Sequence, residues 1–178
     1  DSAAAAILEE MEAVRTYILV SVVSADREER LALDVDRGNM RSTDAPGWAP
    51  FLTLSHAKSD FENLRRECGD SVLGFIGGLV GLAEELRLTS PRVRSLRALA
   101  GSLALERTGP GGFRLHAHFG SEPVDPRPRA TIRLDEMTHR ALRSGDLDPQ
   151  EAFLTEAVEV LGDEAMVVEL ALTALAPD

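Results

Sequence analysis

The chain has 178 residues, 44% of them hydrophobic and 28% charged, the composition of a globular protein long enough to bury its own core. A formal net charge of −11, with Lys58 the only lysine among scattered arginines, argues against nucleic acid as a partner and against a polybasic membrane anchor, because an acidic surface repels phosphates and anionic headgroups. Cys68 is the only cysteine, so no intrachain disulfide is expected and a reducing, cytoplasmic compartment fits; no signal-peptide pattern is visible, and the longest apolar run, 72–83, falls short of the about 20 residues that span a bilayer.

Residues 2–16 combine an alanine run with Glu9, Glu10 and Glu12, all good helix formers, and predict a helix. The β-branched stretch 17–24 predicts a strand. Leu31, Leu33 and Val35 then alternate with Ala32, Asp34 and Asp36, the period of a half-buried partner strand, so the two form a hairpin. Residues 38–50, rich in Gly, Asn, Ser, Asp and Pro, read as a loop. That loop carries Trp48 between two prolines, where it would tuck onto the core or cover the end of a cavity. A short strand at 51–54 precedes a helix opened by Ser59-Asp60, with Phe61 and Leu64 on one face. Gly74, Gly77, Gly78 and Gly81 punctuate the apolar stretch 71–86. Each glycine costs a helix about 1 kcal/mol relative to alanine but lets another backbone come close, which predicts a buried, tightly packed helix.

Ser90-Pro91 supplies an N-cap and a first helical residue, with Gly101 as the end of that helix. Strands at 102–107 and 113–119 flank Gly109-Pro110-Gly111-Gly112 and form a second hairpin. Leu103 and Leu105 share one face of the first; Phe113, Leu115, Ala117 and Phe119 share one face of the second. Ala130, Ile132 and Leu134 alternate with Thr131 and Arg133 as a third strand. Asp135 caps a helix to 143, and Asp148-Pro149 starts another. Residues 156–161 predict a strand with Val158 and Val160 inward, and Gly162-Asp163 turns into a final helix, 164–175. The order hairpin, proline-bearing loop, short strand, acid-rich helix therefore occurs twice. The expected organisation is a unit at 89–178 preceded by an N-terminal α/β region, 1–88, which is either a degenerate copy of it or an unrelated extension that packs onto it.

The segment 130–176 carries a family resemblance. Its Ser144-Gly145 helix end, the run Asp148-Pro149-Gln150-Glu151-Ala152-Phe153, and the Gly162-Asp163 turn before an apolar last helix follow one another at the spacing of the sterol carrier protein 2 family, which this segment resembles. The upstream hairpin fits that family's first two strands. One departure is Thr155-Glu156-Ala157, where the family has a small, Gly-Lys-like step. The resemblance implies an α+β fold, a mixed sheet covered by helices, with an apolar tunnel between them that binds sterols, fatty acids, acyl-CoAs or similar lipids without covalent chemistry.

The last helix is apolar nearly all round, which one core-facing stripe does not explain. One face is expected to pack on the sheet and the other to line a cavity. The candidate ligand-binding residues are Leu103, Leu105, Leu115, Phe119, Ile132, Leu134, Phe153, Met166, Val167 and Leu170. His116 and His118, at i and i+2 on a strand, could meet one metal, but they lie opposite the apolar face and read as histidines of the wetter side. His139, His56 and Cys68 have no evident catalytic partners, and no nucleophile elbow, Walker loop or dinucleotide fingerprint occurs. The expectation is a non-enzymatic carrier or sensor of a hydrophobic small molecule or lipid, without cofactor or metal. The alternative is a protein-interaction module that forms a homodimer through the glycine-rich helix or the region around Trp48.

Overall fold

A computed structural model of the protein describes residues 2–44, 49–79 and 86–177. Trp48, and residues 80–85 at the end of the glycine-rich stretch, lie outside the described residues. The first half supplies helix α1 (Ser2–Glu12), strands β1 (Arg15–Val23), β2 (Glu28–Asp36), β3 (Asn39–Thr43) and β4 (Pro50–Ala57), a single 3-10 turn at Lys58–Asp60, and helices α2 (Phe61–Cys68) and α3 (Val72–Leu79). The second half supplies α4 (Ser90–Ala98), β5 (Gly101–Arg107), β6 (Phe113–Phe119), β7 (Ala130–Leu134), α5 (Glu136–Ser144), α6 (Pro149–Leu154), β8 (Glu159–Gly162) and α7 (Glu164–Leu175).

The strands form one eight-stranded mixed sheet in the order β3-β2-β1-β4-β6-β5-β7-β8, so the fold is α+β. In each half an antiparallel hairpin is followed by a strand that returns parallel to the hairpin's first strand: β4 beside β1, and β7 beside β5. β4 and β6 pair antiparallel, with Leu52 opposite Phe119 and Leu54 opposite Ala117, and this contact joins the strands of the two halves.

The period of two sorts each strand between the two faces. Ile18, Leu52, Leu54, Leu103, Leu105, Leu115, Phe119, Ile132 and Leu134 are buried together with Leu64, Ile76, Leu96, Met166 and Leu170 from the helices. The opposite face carries charge. Across four of its strands runs a ladder of alternating charge: Arg114 to Glu106 at 2.9 Å, Glu106 to Arg133 at 3.2 Å, and Arg133 to Glu159 at 3.4 Å. These are directly paired cross-strand residues, so each carboxylate meets a guanidinium rather than its own kind.

Local signals place the helices of the second half. Asp135, Asp148 and Asp163 each cap a helix, accepting backbone N–H groups from Thr138, from Gln150 and Glu151, and from Met166. Several expectations fail. Helix α1 ends at Glu12 and not at 16, and β8 begins at Glu159 and not at 156. Part of the expected loop 38–50 is strand β3, because Arg37 and Gly38 both take positive φ (51° and 75°) and close a two-residue hairpin turn. The Arg-Gly pair lacks the usual Asn-Gly signature, which is why the turn was not evident. Gly101 opens β5 instead of ending the preceding helix: it pairs with Phe119, and its open side receives Arg129 and Met166.

The glycine-rich stretch behaves as read over its described part. Gly74 and Gly78 lie one turn apart on α3 and face Cys68 at the end of α2. A Cβ at Gly74 would collide with the Cys68 carbonyl oxygen, and one at Gly78 with the Cys68 sulfur. The absence of side chains there is what lets α3 settle onto the end of α2.

Candidate functional site

A cavity of about 600 Å³, half-open to solvent, lies between the β5–β7–β8 part of the sheet and the helices above it. Its floor follows from strand register. Leu105 is paired with Ile132, and Ile132 with Val160, so three adjacent strands present aliphatic side chains side by side. Leu134 and Val158 extend that floor. Helix α5 contributes His139 and Leu142, α6 contributes Pro149, Gln150 and Phe153, and α3 contributes Gly78 and Leu79.

Helix α7 is two-sided, and this explains its composition. Met166, Leu170 and Ala174, spaced by one turn, are buried. Val167, Ala171 and Leu175 follow at the same spacing one position on and line the cavity, with Val168 and Leu172 beside them. Leu172 is 69% exposed and Phe153 37%, so the apolar lining continues out onto the rim.

Of the expected lining residues, Leu105, Ile132, Leu134, Phe153, Val167 and Leu170 line the cavity. Leu103, Leu115, Phe119 and Met166 do not; all four are buried in the continuous core. The reason is the sheet order. β6 lies between β4 and β5, so Leu115 and Phe119 belong to the centre of an eight-stranded sheet, with α4 packed against β6. Met166 comes to rest near Gly101, at the start of β5, and Leu103 is fully buried beyond it. Leu79, His139, Pro149 and Gln150 also line the cavity, and nothing local in their spacing marks them.

One end of the cavity borders a buried polar group. His139, 1% exposed, donates from Nε2 to the Gly78 carbonyl at 3.1 Å, and its Nδ1 lies 3.9 Å from Glu67 Oε1. The other carboxylate oxygen of Glu67 accepts from Arg107 Nε at 3.0 Å. Arg107 spends its remaining donors on the carbonyls of Thr108, Pro110 and Gly111 in the hairpin turn. Burial pushes the pKa of His139 below its ordinary value, so the ring is held neutral. The adjacent Cys68 thiol is pushed up to about 11, chiefly by burial, which makes it a packing group and a poor nucleophile.

The histidines of β6 lie on the face opposite the core, as their alternation requires, and one of them is closed off from water. His118 is 4% exposed: its Nε2 donates to the Glu122 carbonyl at 3.0 Å and its Nδ1 accepts from the Ser102 hydroxyl at 2.7 Å. The connection after β6 therefore folds back over this face. The Ser102–His118 pair is enclosed, with Ser102 1% exposed, and holds that connection in place. His116 is half-buried, and its pKa is lowered by burial first of all.

No family model matches the chain, and no curated protein does. Among solved structures, sterol carrier protein 2 from Yarrowia lipolytica in its apo form is similar, at 13% sequence identity and a TM-score of 0.35, over 66% of this chain and 90% of that one.

Proposed function

We propose that the protein binds a hydrophobic small molecule, a lipid of the sterol, fatty-chain or acyl class, in the cavity between β5–β7–β8 and helices α5–α7, and that it does so without catalysis. The carrying observation is a half-open space of about 600 Å³ whose described walls are mostly apolar. That volume is in the range of small-molecule sites. Each methylene moved from water into such walls contributes about 0.8 kcal/mol, so a fatty chain needs few polar contacts to be held. The resemblance of 130–176 to the sterol carrier protein 2 family supports the same reading. The non-catalytic part is supported by the high thiol pKa of Cys68 and by the enclosure of Ser102 and His118 away from the cavity. On this reading residues 1–88 are a degenerate copy of the unit at 89–178, which the shared strand order of the two halves supports.

Native mass spectrometry of the purified chain, before and after addition of a long-chain lipid, tests the proposal. The expected result is a one-to-one adduct, copurified or acquired. A protein that takes up no sterol, fatty alcohol or fatty acid, and sediments as a dimer, would favour the interaction-module alternative and remove the lipid reading.

A further inference from the structure

We infer that the cavity selects its lipid by charge: it takes an uncharged head group and turns away the carboxylate form of the same chain, with Asp148 at the rim as a selecting residue. This inference rests on the lipid-binding reading above and narrows it.

The first observation is the lining. Among the described lining residues the ionisable side chains are Asp148 and His139. His139 is neutral for the reason given, and its Nε2 proton is committed to Gly78. Arg107, behind it, is bound to Glu67 and to three backbone carbonyls. Asp148 is exposed, and its Oδ1 is held by the backbone N–H groups of Gln150 and Glu151 at 2.8 and 3.2 Å, which fixes the carboxylate at the rim. The Gln150 side-chain amide beside it can donate to and accept from a hydroxyl or an ester.

The second observation is independent of the first. Residues 135–177, which contain α5, α6, β8 and α7, hold ten carboxylate side chains against Arg140 and Arg143. Glu136, Glu159 and Asp163 are paired with Arg140, Arg133 and Arg129. With those pairs counted as neutral, acidic side chains still outnumber Arg143 on these elements. These elements therefore carry a net negative charge of their own. A carboxylate entering there meets a repulsive field, and a hydroxyl does not.

The test compares cis-parinaric acid with the alcohol of the same chain, by fluorescence titration of the full chain at about pH 8, where the acid is ionised. In low salt the alcohol should bind tighter by about tenfold or more, a difference of about 1.4 kcal/mol. The gap should shrink several-fold in about 1 M salt, where the screening length falls to about 3 Å. Asp148→Asn keeps a good helix cap and should narrow the gap about threefold by improving only the acid. Gln150→Lys, at an exposed rim position, should narrow it further. Equal or tighter binding of the acid, or a gap unmoved by salt and by both substitutions, overturns the inference and leaves the lipid reading standing. Failure of both probes to bind overturns the lipid reading, and this inference with it.

Discussion

Arg107 on β5 donates from Nε to Glu67 on α2 at 3.0 Å, and the two side chains are 1% and 13% exposed. The pair is separated by 40 positions in sequence and ties a helix of the first half to a strand of the second. It also backs the cavity end, because Glu67 faces His139 and His139 holds Gly78.

Removing one member of this pair leaves the other charge buried. Breaking a buried ion pair costs about 3–5 kcal/mol. Glu67→Ala is expected near the lower end, about 3 kcal/mol, because the hairpin carbonyls still bind Arg107. Urea denaturation measures it, and a loss under about 1 kcal/mol would mean the pair is solvated and unimportant.

Mild acid should weaken the fold through its buried histidines. The folded-state pKa of His139 is depressed by burial, so the unfolded chain binds the proton more readily. Stability from this group is complete above the unfolded value, about 6.5, and is lost as pH falls from there through the folded pKa. His116 is lowered too and acts in the same direction. Carboxylates whose pKa is depressed, such as Asp135 and Asp163, lose their contributions only at more acid pH. Melting temperatures measured from about pH 7.5 to 5 should therefore decline, and His139→Gln should flatten the decline. An identical slope in the variant would assign the whole effect elsewhere.

Two substitutions separate lining from core. Ala171 is half-buried and faces the cavity, so Ala171→Trp should fill it and weaken lipid-probe binding about tenfold or more while the chain stays folded. Leu115 is fully buried beneath the centre of the sheet. Leu115→Ala should cost about 2–5 kcal/mol of stability and leave probe affinity unchanged at temperatures where the chain remains folded. If the binding loss appeared in Leu115→Ala and not in Ala171→Trp, the site would lie elsewhere in the core.

The local elements could be read from the residues themselves. Strands β6 and β7 and helix α7 have the limits that alternation and turn signals predict, and Asp135 and Asp148 cap as expected. These features depend on side-chain period and on backbone groups within a few positions, which a linear pattern records. The two-sided character of α7 was also written in its composition, since a helix apolar all round needs two apolar surroundings. The tertiary structure decided the rest. The pairing of β4 with β6 made one sheet, moved Leu115 and Phe119 to its centre and left Leu105, Ile132 and Leu134 under the open space. Alternation puts Arg107 on the face of Leu103 and Leu105, and its charge is tolerated there because Glu67 and the hairpin carbonyls converge to replace its water. Which aliphatic side chains touch each other and which face a hollow depends on where helices distant in sequence come to rest, and periodicity carries no record of that.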